Sequence, residues 1–156
     1  MRTLLILLCF ALPAQADMQT ARDAFTNGQF ENAVENLVPA ANSGSAEAEF
    51  LLGNIHALGL GVPQNATRGF EFYLRAATKG HPAAQLRLSR AFETGNGTSI
   101  DPIRALLWAD LAVIGRADGA KNRSTMLRDK LPPEDIKIAD ELLQDYRTYL
   151  FPLEQQ

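Results

Sequence analysis

Apolar positions recur along this chain at helical spacing. Ala48, Leu51, Leu52 and Ile55 fall on one face of a helix, and Phe70, Tyr73, Leu74 and Ala77 on one face of the next. Proline marks helix starts at Pro82, at Pro102 after Asp101, and at Pro133. A first-turn proline lacks only an N–H that would go unpaired there. The Gly-x-Gly steps Gly59–Gly61 and Gly95–Gly97 stop helices, because glycine tolerates the positive φ of a C-cap. These signals predict eight helices in four pairs: 17–27 with 30–43, 46–58 with 66–79, 82–94 with 102–115, and 118–130 with 133–150.

The pairs repeat at an offset of 36 residues. Ala48 maps to Ala84 and Ala120, Leu52 to Leu88, His56 to Phe92, Gly59 to Gly95, Gly61 to Gly97, Phe72 to Trp108, and Ala76 to Ala112. A fixed period in the thirties marks a solenoid, in which stacking joins apolar faces that no single pair can bury. The fold class is all-α: a right-handed α/α solenoid of about three helix-pair repeats, closed by a more polar C-terminal pair. Gly53, Gly59, Gly61, Gly95, Gly97, Ala76 and Ala112 are its structural repeat positions. The same register disposes of a phosphate-binding loop. Gln64 and Ile100 stand where a dinucleotide fingerprint needs its third glycine, and a helix precedes where a strand is required.

The stretch "AEFLLGNIHALGLGVPQNATRGFEFYLRAATKGHPAA" resembles the Sel-one-like repeat, a relative of the tetratricopeptide repeat. The matching positions are Ala48, Leu52, Gly53, His56, Gly59, Gly61, Val62, Arg68, Gly69, Phe72, Tyr73, Ala76, Ala77 and Gly80. The next unit is looser, with Ser89, Thr98 and Arg116 in place of Gly, Val and Gly. The opening unit reads more like a tetratricopeptide. The resulting partition is 1–16 leader, 17–45 first helix pair, 46–81 and 82–117 two repeats, and 118–156 capping helices and tail.

The leader is read from "MRTLLILLCFALPAQAD": one cation at Arg2, an apolar run from Leu4 to Leu12, and Ala14-Gln15-Ala16 as a signal-peptidase site. The run is about half the ~20 residues that span a bilayer. Cleavage after Ala16 and export to the periplasm are expected, with secretion as the alternative; no stable membrane insertion follows cleavage. The only cysteine, Cys9, falls in this segment, so disulfides hold nothing in the mature chain. Asn65-Ala66-Thr67, Asn96-Gly97-Thr98 and Asn122-Arg123-Ser124 would be glycan acceptors in a eukaryotic pathway, but the short Ala-x-Ala leader points to a bacterium. The net charge is −3, and loss of Arg2 takes it to −4 without any basic stripe, which speaks against nucleic acid.

In tetratricopeptide geometry the first helix of each pair lines the concave face, so residues off its packing side become candidate partner contacts. By register these are Asp23 with Thr26, Phe50 with Asn54, then Leu86, Arg87, Arg90 and Glu93, and finally Asn122, Arg123, Met126 and Asp129. Phe50 and Asn54 followed by Arg87 and Arg90 suit an acidic or amphipathic segment; the competing reading packs Phe50 between helices and leaves the arginines as a solvated face. His56 sits in an aromatic packing slot, His81 caps a turn, and two such distant histidines make a poor metal set. Glu134-Asp135 favours the dipole of the last helix and need not be a catalytic dyad. No cofactor is expected.

The resemblance implies a non-enzymatic periplasmic adaptor or regulator that binds a protein or peptide: an envelope sensor, or a secretion or cell-wall component. One alternative is a permanent subunit of an envelope or secretion assembly. Another is a β-lactam-binding or hydrolysing enzyme, as for cysteine-rich relatives. Against that reading, the paired cysteines, Ser-x-x-Lys and Lys-Thr-Gly are all missing from the sequence.

Overall fold

The computed structural model describes residues 13–150. Eight helices follow one another: α1 Pro13–Thr26, α2 Phe30–Asn42, α3 Ala46–Leu58, α4 Ala66–Thr78, α5 Pro82–Thr94, α6 Pro102–Ile114, α7 Ala120–Lys130 and α8 Pro133–Leu150. The described residues form no strand. Most of the expected leader, residues 1–12 with Cys9, and the tail 151–156 lie outside the described residues. Helix α1 begins at Pro13, so the expected cut after Ala16 falls within it.

The caps repeat with the sequence. Ser45 Oγ accepts the Ala48 N–H at 3.2 Å, and 36 residues on His81 Nδ1 accepts the Ala84 N–H at 3.3 Å. Asn65 Oδ1 accepts the Arg68 N–H at 2.9 Å, and Asp101 Oδ1 accepts the Arg104 N–H at 2.9 Å. Each cap satisfies a first-turn donor that the helix itself leaves free. The two glycines of each Gly-x-Gly have separate tasks. Gly59 and Gly95 take φ of +70° and +74° and end α3 and α5 by donating to Ile55 O and Ala91 O. Gly61 and Gly97 allow one unit to touch the preceding one. A Cβ on Gly97 would lie 2.3 Å from Ala66 O, and one on Gly61 would lie 2.9 Å from Phe30 Cβ.

Each helix packs mainly on its sequence neighbour, from α1 on α2 through α6 on α7, while α8 turns back over α6. Helix α6 is therefore covered on several sides, and Ala105 through Ala112 are all buried. The core has two continuous parts that divide at α4. Phe72 joins Leu37, Leu52 and Ile55, whereas its neighbour Tyr73 joins Leu88, Phe92, Leu106 and Trp108. Each fully buried large apolar side chain stabilises the stack by about 1.5–3 kcal/mol. The seal at α7 and α8 is polar as well. Arg128 donates to Asp110 at 2.6 Å and to Asp140 at 2.6 Å, and Ser124 Oγ donates to the same buried Asp110.

A buried charge is handled differently in the two repeats. Glu49, 3% exposed, is held by Lys79 at 2.8 Å and Arg75 at 3.4 Å. One period later these positions hold Gln85, Leu111 and Gly115. With both cations gone, a buried carboxylate would be several kcal/mol unfavourable. The neutral amide instead donates to Ala77 O at 3.3 Å.

Candidate functional site

The first helices of successive pairs, α3 and α5, both pack on α4, and a groove runs between them over α4. Close approach of α3 and α4 sets its floor. A Cβ on Gly53 would lie 2.5 Å from Tyr73 Cδ1, and one on Gly69 would lie 2.7 Å from Ala57 Cβ, so small residues let both helices settle inward. Tyr73 fills the space over Gly53 and donates its hydroxyl to Asn54 Oδ1 at 2.9 Å. Burial pushes the Tyr73 phenol pKa upward, and the nearby Arg87 guanidinium opposes the shift. Phe50, from the N-terminal half of α3, is stacked on His81 with centroids 4.6 Å apart and tilted against the groove residue Tyr73 at 6.1 Å.

Arg87 and Arg90 project from α5 into this groove, Arg87 half-buried and Arg90 exposed. Among the described residues neither makes an ion pair or a side-chain hydrogen bond. The arginines on the first helices α1 and α7 are engaged. Arg22 forms a two-pronged pair with Glu47 across α1 and α3, which holds the Glu47 carboxyl below its ordinary range. Arg123 reaches from α7 to α5, donating to Ser89 Oγ at 2.7 Å, Ser89 O at 3.0 Å and Glu93 Oε2 at 2.8 Å. Lys130 takes the other Glu93 oxygen at 3.3 Å. Hydrogen bonding from Arg123 lowers the Glu93 pKa, against the desolvation that would raise it.

The structure divides the residues picked by register. Asn54 leaves the set of surface contacts: it is 6% exposed and its side-chain oxygen is used by Tyr73. Arg123 leaves it too, since its side chain is 10% exposed and ties α7 to α5. Glu93 is the anchor of that tie, with both carboxylate oxygens occupied. Phe50 is half-buried in an aromatic stack, whereas Asp23 is exposed on α1, a helix away, and accepts from Gln19 at 2.9 Å. Arg87 and Arg90 share one groove.

Helical register did not single out Leu58, Phe70 or Tyr73, which line the same groove. Leu58 left a signal, since a large apolar residue stands at the end of α3 directly before a glycine turn; it is 58% exposed. The histidines are packing residues. His56 stacks on Phe72 with centroids 5.4 Å apart, and burial, then Arg68, lowers its pKa. His81 is likewise lowered by burial, with Glu47 opposing. Among the described residues no cluster of three or more His, Cys, Asp or Glu is arranged to hold a metal. Two larger clefts lie elsewhere, of about 440 Å³ between α4, α6 and α8 and about 490 Å³ beside the α4–α5 turn. In the first, Arg104 already pairs with Asp101; in the second, Lys79 already pairs with Glu49, and Arg147 makes no ion pair among the described residues.

Comparison with known proteins gives the same architecture. The Sel1 repeat family model matches residues 46–81 and 82–113. The crystal structure of a Sel1 repeat protein from Oxalobacter formigenes superposes with a TM-score of 0.66 at 31% identity, covering 72% of this chain and 88% of that one. The SLR-fold protective antigen c5321 of uropathogenic Escherichia coli superposes with a TM-score of 0.83 at 26% identity, over 90% of this chain and 31% of that one. The alginate biosynthesis protein AlgK of Pseudomonas syringae pv. tomato is 30% identical over 112 residues, 70% of this chain and 23% of that protein. The chain spans between 10% and 23% of the length of the curated relatives it matches.

Proposed function

This chain belongs to the Sel1-repeat family, and from that premise we propose that it is a non-enzymatic adaptor or regulator of the bacterial envelope. Sel1-repeat proteins are in general protein-interaction modules. Here the bound partner is a protein or peptide, and its seat is the groove between α3 and α5. The observation that carries this reading is the pair Arg87 and Arg90: they face the groove without ion-pair partners, while the arginines of α1 and α7, Arg22, Arg123 and Arg128, are engaged. Two guanidiniums kept free on one face supply directional donors for an incoming chain. Asp23 and Phe50 extend the contact surface toward α1. The repeats 46–81 and 82–117 form the working unit, with 17–45 and 118–156 closing its ends.

A periplasmic location is supported by the charge, apolar run and Ala-x-Ala of the leader. No helix of the described residues is long and apolar enough to cross a membrane. Similarity to an alginate biosynthesis protein supports a second form of the same reading, permanent membership of an envelope or secretion assembly. A partner that co-purifies at fixed stoichiometry through high salt distinguishes that form from a transient adaptor.

The test is affinity capture from envelope extract of the native host, using the full chain and an Arg87→Glu/Arg90→Glu variant whose fold is checked by circular dichroism. Arg90 is exposed, and half-buried Arg87 has no ion pair or side-chain hydrogen bond to lose, so the variant should fold. A partner held by the wild type and lost by the variant is the expected result. Capture indifferent to the variant refutes the groove. Absence of any captured partner refutes the adaptor and turns attention to hydrolysis of a chromogenic β-lactam.

A further inference from the structure

Beside Arg87 and Arg90 the groove deepens into a slot of about 150 Å³. Its walls are Ala57 and Leu58 of α3, Phe70 and Tyr73 of α4, and Ala91 of α5, and no acidic side chain lines it. A cavity of this size takes one benzene-sized group. The lip is formed by Leu58, which keeps more than half its surface in water and would bury it against an occupant. The two cations stand three residues apart on α5, so their Cβ atoms are about 5–6 Å apart on one face. In an extended peptide, alternate side chains point the same way and are separated by about 6.6 Å. Carboxylates at alternate positions of such a segment therefore match the pair of guanidiniums.

We propose that this slot and the two arginines form a subsite for a linear peptide segment in which one apolar or aromatic side chain is followed by two carboxylates at alternate positions. The side chain fills the slot, and the carboxylates pair with Arg87 and Arg90. The subsite rests on the groove being the interaction surface, and it names the chemistry that surface recognises. The apolar slot separates this ligand from a simple inorganic anion, which would engage the arginines and leave the slot empty. Charge complementarity selects the sign: the charged side chains lining the slot are both cations, beside neutral Thr94 and Asn96, in a chain whose own net charge is −3.

A random heptapeptide library displayed on phage, selected on the immobilised full chain, tests the subsite. The enriched sequences should carry a large apolar residue followed by Asp or Glu at alternate positions. The best peptide, labelled and titrated by fluorescence polarisation, should bind at least tenfold more weakly to Arg87→Gln/Arg90→Gln and to Leu58→Glu. Both variants are checked for native circular dichroism, and the exposed Leu58 site serves if the arginine variant misfolds. Replacing the apolar residue of the peptide with Ser should weaken binding by a similar factor. Enrichment of sequences without carboxylates, equal binding to the variants, or no enrichment at all overturns the proposal. If host-extract capture is still lost on charge reversal in those cases, the groove stands and only the ligand chemistry falls. Acidic peptides that bind as expected while extract capture ignores the variant uphold the subsite and refute the groove as the seat of the captured partner.

Discussion

Gly53→Ala is a single-methyl test of how α3 seats on α4. The new Cβ would lie 2.5 Å from Tyr73 Cδ1, 2.6 Å from Cε1 and 3.3 Å from Gly69 O. The ring has little room to withdraw: Phe50 lies against it, and its hydroxyl is bonded to buried Asn54. Overpacking of this kind destabilises by about 1–3 kcal/mol. Displacing the hydroxyl from Asn54 adds about 1 kcal/mol. Alanine recovers about 1 kcal/mol through helix propensity. The net expectation is a loss of about 1–3 kcal/mol, and each kcal/mol lowers Tm by about 2–4 °C in a chain of this length. Urea unfolding followed by far-ultraviolet circular dichroism measures the loss directly. The same substitution in a Tyr73→Leu background should be neutral or stabilising, because the colliding ring is gone. A Gly53→Ala protein as stable as wild type, or an equal penalty in both backgrounds, would refute the reasoning.

Charge reversal at Arg87 and Arg90 should leave the unfolding midpoint nearly unchanged while abolishing partner capture; a loss of stability above about 1 kcal/mol would place those side chains in the packed structure. Gly97→Ala should be more damaging than Gly80→Ala. Both glycines have positive φ, worth about 1–2 kcal/mol against alanine, but only Gly97 also meets backbone, at Ala66 O; equal midpoints would discount the contact between units. Stability should fall as pH drops from 7 toward 5. His56 and His81 have folded pKa values below the ordinary 6.5, so below that pH the unfolded chain binds more protons and their contribution is lost. His81→Ser keeps an acceptor for the Ala84 N–H and should flatten part of that slope in urea titrations at successive pH values; an unchanged slope would mean that His81 does not titrate in this window.

The helices, their order and the solenoid class were legible in the sequence, for a local reason. Capping side chains at Asn65 and Asp101, first-turn prolines at Pro82, Pro102 and Pro133, and the turn glycines act within a few residues of themselves. The period of 36 then repeats those local decisions, and stacking is the only arrangement that buries every pair. The start of α1 was misplaced by four residues, because Pro13 begins the helix inside what reads as a leader. The partition between α7 and α8 also left no trace that α8 would lie on α6, since the polar tie runs from Asp140 of α8 through Arg128 of α7 to Asp110 of α6.

Which polar residues stay free was decided by tertiary contacts alone. Asn54 and Arg90 share one position of the repeat, and Arg87 and Arg123 share another; periodicity does not tell the engaged member of each pair from the free one. Asn54 meets a tyrosine nineteen residues later, and Arg123 meets a serine and a glutamate at least thirty residues earlier, so both are consumed. Arg87 and Arg90 face a slot whose walls come from α3, α4 and α5 together. Helical period and capping follow from local conformational energy and can be read along the chain. The free or engaged state of a charge depends on what another segment brings within about 4 Å, and only packing in three dimensions sets that.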